Sequence, residues 1–139
     1  IFLIESNPRW VDALTNSFYP FVDKLVIINK EVSDMSSNSK IALDDIGELK
    51  NNNLFIKIDV DGCELLAIRG MKILLEETEN IKVAICTYHK PNDAVEFETF
   101  FRELGFITEF SPGYMLFFHD KDLDKPYFRK GVLRAWKKK

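Results

Sequence analysis

Residues Leu54-Phe55-Ile56-Lys57-Ile58-Asp59-Val60-Asp61-Gly62-Cys63-Glu64 constrain this chain more than any other stretch, because an apolar run opens at one end onto acids, a glycine and a helical pattern. A parallel strand covered on both faces reads as a near-continuous run of Val, Ile, Leu and Phe. Lys57 and Asp59 lie two apart near the end of that run and share one face. Open α/β sheets receive ligands at the carboxyl ends of their strands, so this pair is expected to serve chemistry rather than solubility. Asp59, Asp61 and Glu64 place three acids within six residues, a set suited to a metal, a cationic ligand or acid-base work. No histidine stands at ligand spacing beside them, so no metal is expected, and Glu64 is read as neutralising a helix N-terminus.

The rest of the chain alternates strand and helix patterns. Ile1-Phe2-Leu3-Ile4 opens it as a strand, and Asn7-Pro8 then offers a capping side chain and a first helical residue. Trp10, Val11, Leu14 and Phe18 recur as the apolar stripe of a helix on a sheet. A second strand is expected over Lys24–Asn29, a short helix over Leu43–Leu49, and one long helix over Cys63–Glu77 after a turn at Gly62. Lys82–Thr87 is the next strand and Asp93–Leu104 the next helix, ended by Gly105. Phe106–Phe110 and Tyr114–Phe118, three turn residues apart, are expected to form a hairpin, with Gly131–Trp136 a further strand. This order predicts a single α/β domain over 1–139, Rossmann-like, with a mainly parallel sheet, helices on both faces and an antiparallel C-terminal hairpin.

At 139 residues and 46% hydrophobic content the chain can build a proper core. Two cysteines without CxxC spacing exclude a disulfide scaffold and fit a reducing, cytoplasmic setting. Cys86 is expected in the core, and Cys63 as packing. No run approaches the roughly 18 apolar residues of a membrane span. The net charge of −3 hides a +5 tail over residues 120–139, so the body carries −8 and would repel phosphates. Lys137, Lys138 and Lys139 read as a solvated terminus, so neither nucleic acid nor membrane is expected as a partner.

Glu5 stands where nucleotide-binding α/β folds put the acid that accepts both ribose hydroxyls, although an acid there also suits the dipole of the helix that follows. His89 follows the Lys82–Thr87 strand on a loop facing the same crevice as Asp59, and an imidazole is a suitable general base near neutral pH. His119 and the acids Asp120–Asp124 lack EF-hand spacing and read as exposed. Residues Tyr127–Gly131 suit either a lid or an edge strand.

Three segments in order carry a family resemblance: Ile4-Glu5-Ser6-Asn7-Pro8-Arg9-Trp10, Asn29-Lys30-Glu31-Val32-Ser33-Asp34 and Phe55-Ile56-Lys57-Ile58-Asp59-Val60-Asp61-Gly62-Cys63-Glu64. Together they resemble the E-P-N-P, V-S-D and K-I-D-V-E-G-A-E motifs of the FkbM family of S-adenosylmethionine-dependent methyltransferases, altered here at Ser6, Asp61 and Cys63. The resemblance implies S-adenosylmethionine as cofactor, with Glu5 at its ribose, Asn7 among the residues that bind it, Val32 and Ser33 along its adenine, and Asp59 at its methionine end. It also implies methyl transfer to a hydroxyl of a small molecule or glycan, with His89 or Asp59 taking the proton. The glycine-rich segment of that family would precede Ile1, and its strand would lie between those ending at Glu5 and Asp59. The chain is therefore expected to be part of a longer enzyme, inactive by itself, with either two strands paired that normally are not or backbone groups left unpaired. A non-catalytic binding module and a dinucleotide-dependent oxidoreductase are the alternatives.

Overall fold

The computed structural model describes residues 1–50, 52–116 and 124–137. Strand β1 (Phe2–Ile4) leads into helix α1 (Pro8–Ser17), where the Asn7 side chain accepts the Arg9 N–H at 3.0 Å and Pro8 occupies the first turn. A 3-10 segment over Tyr19–Lys24 returns the chain to β2 (Val26–Ile28), the parallel partner of β1 with Phe2 opposite Val26. Short strands β3 (Glu31–Val32) and β4 (Lys40–Ile41) make a second parallel pair.

The main sheet starts at β5 (Leu54–Ile58). Helices α2 (Glu64–Arg69) and α3 (Lys72–Glu77) carry the chain to β6 (Ile81–Cys86), and α4 (Asp93–Glu103) to β7 (Ile107–Phe110). Beyond them lie β8 (Met115–Leu116), β9 (Phe128–Arg129) and β10 (Val132–Trp136). Strand order is β5-β6-β10-β7, with β5 and β6 parallel and β10 antiparallel to both its neighbours. One core of Ile58, Ile68, Met71, Leu75, Ile85, Phe97, Phe101 and Leu133 joins sheet to helices. Full burial of each such side chain is worth about 1.5–3 kcal/mol. Helix α4 stops in a Schellman turn: Gly105 at φ +79° lets Phe106 N–H reach the Phe101 carbonyl at 3.0 Å while the two rings meet at 5.5 Å.

Four expectations are corrected. The Cys63–Glu77 helix is two helices, because Gly70 is packed against the Ser33 backbone and the chain bends at Met71. Leu43–Leu49 is two 3-10 turns, because Asp44 turns away to accept the Ile73 and Leu74 N–H groups at 3.0 and 2.9 Å and so caps α3. The antiparallel closure is present, but β7 pairs with β10 and β8 with β9, because the alternation that buries Leu133 and Ala135 suits β10 to the place between β6 and β7. Finally, α1 buries no residue and leaves Trp10 62% exposed, since β1 and β2 offer it only a two-stranded surface. Phe117, Phe118, His119, the acids Asp120 and Asp122, Lys138 and Lys139 lie outside the described residues.

Strands β1 and β2 are not hydrogen-bonded to the main sheet. A cleft of about 730 Å³ separates β1 from β5, lined by Phe2, Ile4, Leu54, Ile56, Ile58 and their neighbours. Of the two outcomes foreseen for those strands, the one realised is an open seam.

Candidate functional site

At the carboxyl end of β1 and β5 the chain encloses a second cleft of about 320 Å³. Ile4, Glu5 and Ser6 form one wall, Lys30, Glu31 and Val32 another, and Asp59, Val60, Asp61 and Cys63 the third. The third wall depends on a left-handed turn, with Asp61 at φ +47° and Gly62 at φ +88°. Glycine adopts that conformation without a Cβ clash, and aspartate is one of the few other residues that tolerates it. Lys90 Nζ donates to the Gly62 carbonyl and ties the turn to the loop after β6.

The structure brings Glu5, Val32 and Asp59 to this one cleft. Glu5 accepts the Asn7 N–H on Oε1 at 2.7 Å, and the Asn29 amide donates to the Glu5 and Ser6 carbonyls at 2.8 and 3.0 Å, fixing the end of β1. Asn7 is occupied in capping α1 and does not line the cleft. Ser33 is buried behind Val32, its hydroxyl donating to Asp34 at 3.2 Å.

His89 stands behind the third wall among carboxylates. Its Nε2 is 3.8 Å from Asp59 Oδ1 and 3.5 Å from Asp61 Oδ1, and its Nδ1 is 2.7 Å from Glu64 Oε1. Glu64 is 1% exposed and accepts the Val60 N–H at 3.1 Å, so it serves the interior of the site and not only the start of α2. The Tyr88 hydroxyl donates to Asp59 at 3.0 Å and Lys57 Nζ sits 3.4 Å from its other oxygen. Burial pushes the Asp59 carboxyl upward, but hydrogen bonds from Cys86 and Tyr88 and the Lys57 charge outweigh it and hold Asp59 below its ordinary pKa. Burial and the neighbouring Cys86 and Asp59 raise the Tyr88 phenol, so it stays a donor. Cys86 is in the core as expected, with Lys57 Nζ 3.1 Å from its sulfur. Its thiol is raised, chiefly by burial.

Arg129 went unrecognised as a site residue. It is 4% exposed, and its guanidinium donates to the Tyr88 and His89 carbonyls at 2.9 Å each, to Pro126 at 3.1 Å and to Asp124. The segment between lid and edge strand in the sequence is thus strand β9, and it pins the histidine loop. An arginine among aromatics near the basic tail was the one available signal, since arginine alone offers five donors to a cluster of carbonyls.

Asp93, at the start of α4, accepts the Lys90 N–H at 2.6 Å and is 3% exposed. Burial raises its pKa above 3.8, opposed next by the hydrogen bond from the Lys90 N–H; the Glu64 charge raises it further, and the Lys90 and His89 charges lower it least. A carboxyl raised on folding binds more protons in the folded state, so its contribution to stability falls as pH rises through the interval above 3.8. Asp93→Asn, fixed in the neutral form, is expected to stay within about 1 kcal/mol of wild type at pH 7. It should also remove that part of the pH dependence, as read from urea unfolding at pH 4.5 and 7.

No curated protein sequence matches the chain. Two solved structures are similar in fold. The methyltransferase FkbM of Methylobacillus flagellatus KT superposes with a TM-score of 0.69 at 18% identity, covering 96% of this chain and 36% of that one. The precorrin-6y C5,15-methyltransferase of Geobacter metallireducens GS-15 gives 0.60 at 14% identity, covering 99% and 67%. This chain therefore spans little more than a third of the first protein and two thirds of the second. Among the described residues no helix is long and apolar enough to cross a membrane. The profile of the methyltransferase FkbM domain matches residues 15–108, from within α1 to β7 and including Asp59, Glu64 and His89, and on that match the chain belongs to the FkbM methyltransferase domain family.

Proposed function

We propose that the chain forms the ribose and acceptor walls of an S-adenosylmethionine-dependent methyltransferase acting on a hydroxyl of a small molecule or glycan. One observation carries this: Glu5, Glu31, Asp59 and Asp61 line a single cleft against one lysine, Lys30. S-adenosylmethionine bears a sulfonium and an ammonium against one carboxylate, whereas a dinucleotide brings a pyrophosphate. Four carboxylates attract the first and repel the second. The buried contact of Glu64 with His89 favours an enzyme over a passive binding module, since burying an acid is costly without a return in function.

When bound, the cofactor supplies a methyl group on a positive sulfur. In this reading Glu5 holds the ribose through its uncommitted oxygen, Val32 lies along the adenine with Ser33 supporting it, and Asp59 faces the methionine end. Positioning supplies most of the acceleration. His89 takes the hydroxyl proton on Nε2, Glu64 fixing the ring from the Nδ1 side, and Asp59 is the second candidate for that role. The seam between β1 and β5 takes a strand from the remainder of the protein.

Isothermal titration with S-adenosylmethionine, on the longest natural polypeptide that contains this chain, tests the assignment. Glu5→Ala should raise Kd by about 10- to 100-fold, the worth of hydrogen bonds to a charged acceptor. Glu109→Ala, on the exposed side of β7, should not. Unchanged affinity in Glu5→Ala would remove the ribose assignment, and micromolar binding by residues 1–139 alone would show that no further strand is needed.

A further inference from the structure

We propose that Asp59, Glu64 and His89 form a binding site for a first-row divalent cation such as Mn²⁺. One donor atom from each residue lies within 4.8 Å of the other two. The three come from the end of β5, the first turn of α2 and the loop after β6, so no local spacing in the sequence announces them. Two observations beyond the cluster itself point to a ligand. Glu64 is 1% exposed, and among the described residues its Oε2 has no hydrogen-bond partner. A carboxylate oxygen buried in that condition is costly unless a cation satisfies it.

The second observation is the contact between Glu64 and His89. Nδ1 lies 2.7 Å from Oε1, and among the described residues neither Nδ1 nor Oε2 has a hydrogen-bond partner. Two ligands each about 2.1 Å from one ion, at a right angle, stand about 3 Å apart with neither aimed at the other. At 2.7 Å the Glu64–His89 contact is close to that spacing. Asp59 completes the set from the exposed side. Tyr88 and Lys57 each occupy one of its oxygens, and each oxygen keeps a further lone pair.

Two carboxylates and an imidazole suit Mn²⁺ or a neighbouring first-row ion, whereas Mg²⁺ and Ca²⁺ prefer all-oxygen sets. Arg129 supports the site one layer out by holding the Tyr88 and His89 carbonyls. Coordination through Nδ1, the nitrogen beside Glu64, would leave Nε2 for the acceptor proton.

Titrating the full chain with Mn²⁺, followed by the electron paramagnetic resonance of the free ion, should show one saturating site. Asp59→Asn and Glu64→Gln should each weaken it at least about tenfold. Glu103→Gln, exposed at the end of α4, should leave it unchanged. Co²⁺ should give a visible absorption band that His89→Ala loses. Because Asp59 is half exposed, Asp59→Asn keeps the test valid even if Glu64→Gln does not fold. Absence of saturation, or equal affinity in Asp59→Asn, overturns the site. Neither result touches the S-adenosylmethionine titration, so the two proposals fail separately.

Discussion

Replacing His89 by alanine is expected to lower methyl-transfer turnover by about 10²- to 10⁴-fold, the usual worth of a positioned general acid or base. Affinity for S-adenosylmethionine should change less than about twofold. The split follows from placement, because the cleft walls that include Glu5 and Val32 contain no atom of His89. The ring reaches Asp59 and Asp61 through Nε2 and Glu64 through Nδ1. Single-turnover rates with saturating cofactor, beside equilibrium titration of the same variant, separate the two quantities. Equal loss in both would mean that His89 builds the cofactor wall, and its assignment as proton acceptor would fall. Glutamine at position 89 should restore little turnover, since it fills the space but cannot take a proton at neutral pH.

Gly70→Ala is expected to destabilise the fold by about 3 kcal/mol or more, beyond the usual range for an added core methyl group. A Cβ at residue 70 would lie 2.0 Å from the Ser33 carbonyl oxygen, 3.0 Å from its carbon and 3.1 Å from Asp34 Cα. Those are backbone atoms, so no rotamer change relieves the clash. Movement must come either from the junction of α2 and α3 or from the Val32–Ser33 segment, which supplies a wall of the cleft. Cofactor affinity should therefore fall together with the urea midpoint. Gly47→Ala is the control, because a Cβ there has no neighbour within 4 Å and the change should stay within about 1 kcal/mol. An unaltered midpoint for Gly70→Ala would mean that the α2–α3 junction does not rest on the Ser33 carbonyl.

The parts of this fold that the sequence reveals are those fixed by local chemistry. The 54–58 strand, the turn at Gly62, the Asn7 cap and the Gly105 stop all depend on neighbouring residues, and all are found in place. Where the sequence misleads, a distant partner decides. Apolar spacing over Cys63–Glu77 fits one helix, and only the backbone passing Gly70 divides it. Phe106–Phe110 and Tyr114 onward look like hairpin arms, but β10 arrives more than twenty residues later and takes the partner position. The site divides in the same way. Glu5, Asp59 and His89 each stand at a strand end and can be picked out singly. Glu64 and Arg129 acquire their roles from contacts 25 and 40 residues away, which no spacing rule encodes.

The seam also leaves the outer edge of β5 open. Strand edges with unused hydrogen-bonding groups are templates for a guest peptide. A short extended segment donated by another polypeptide would zip into the seam, reunite the two sheets and bring the walls that carry Glu5 and Asp59 into fixed relation. Closure of the cleft would then report the meeting of two molecules, which is the working principle of a complementation reporter.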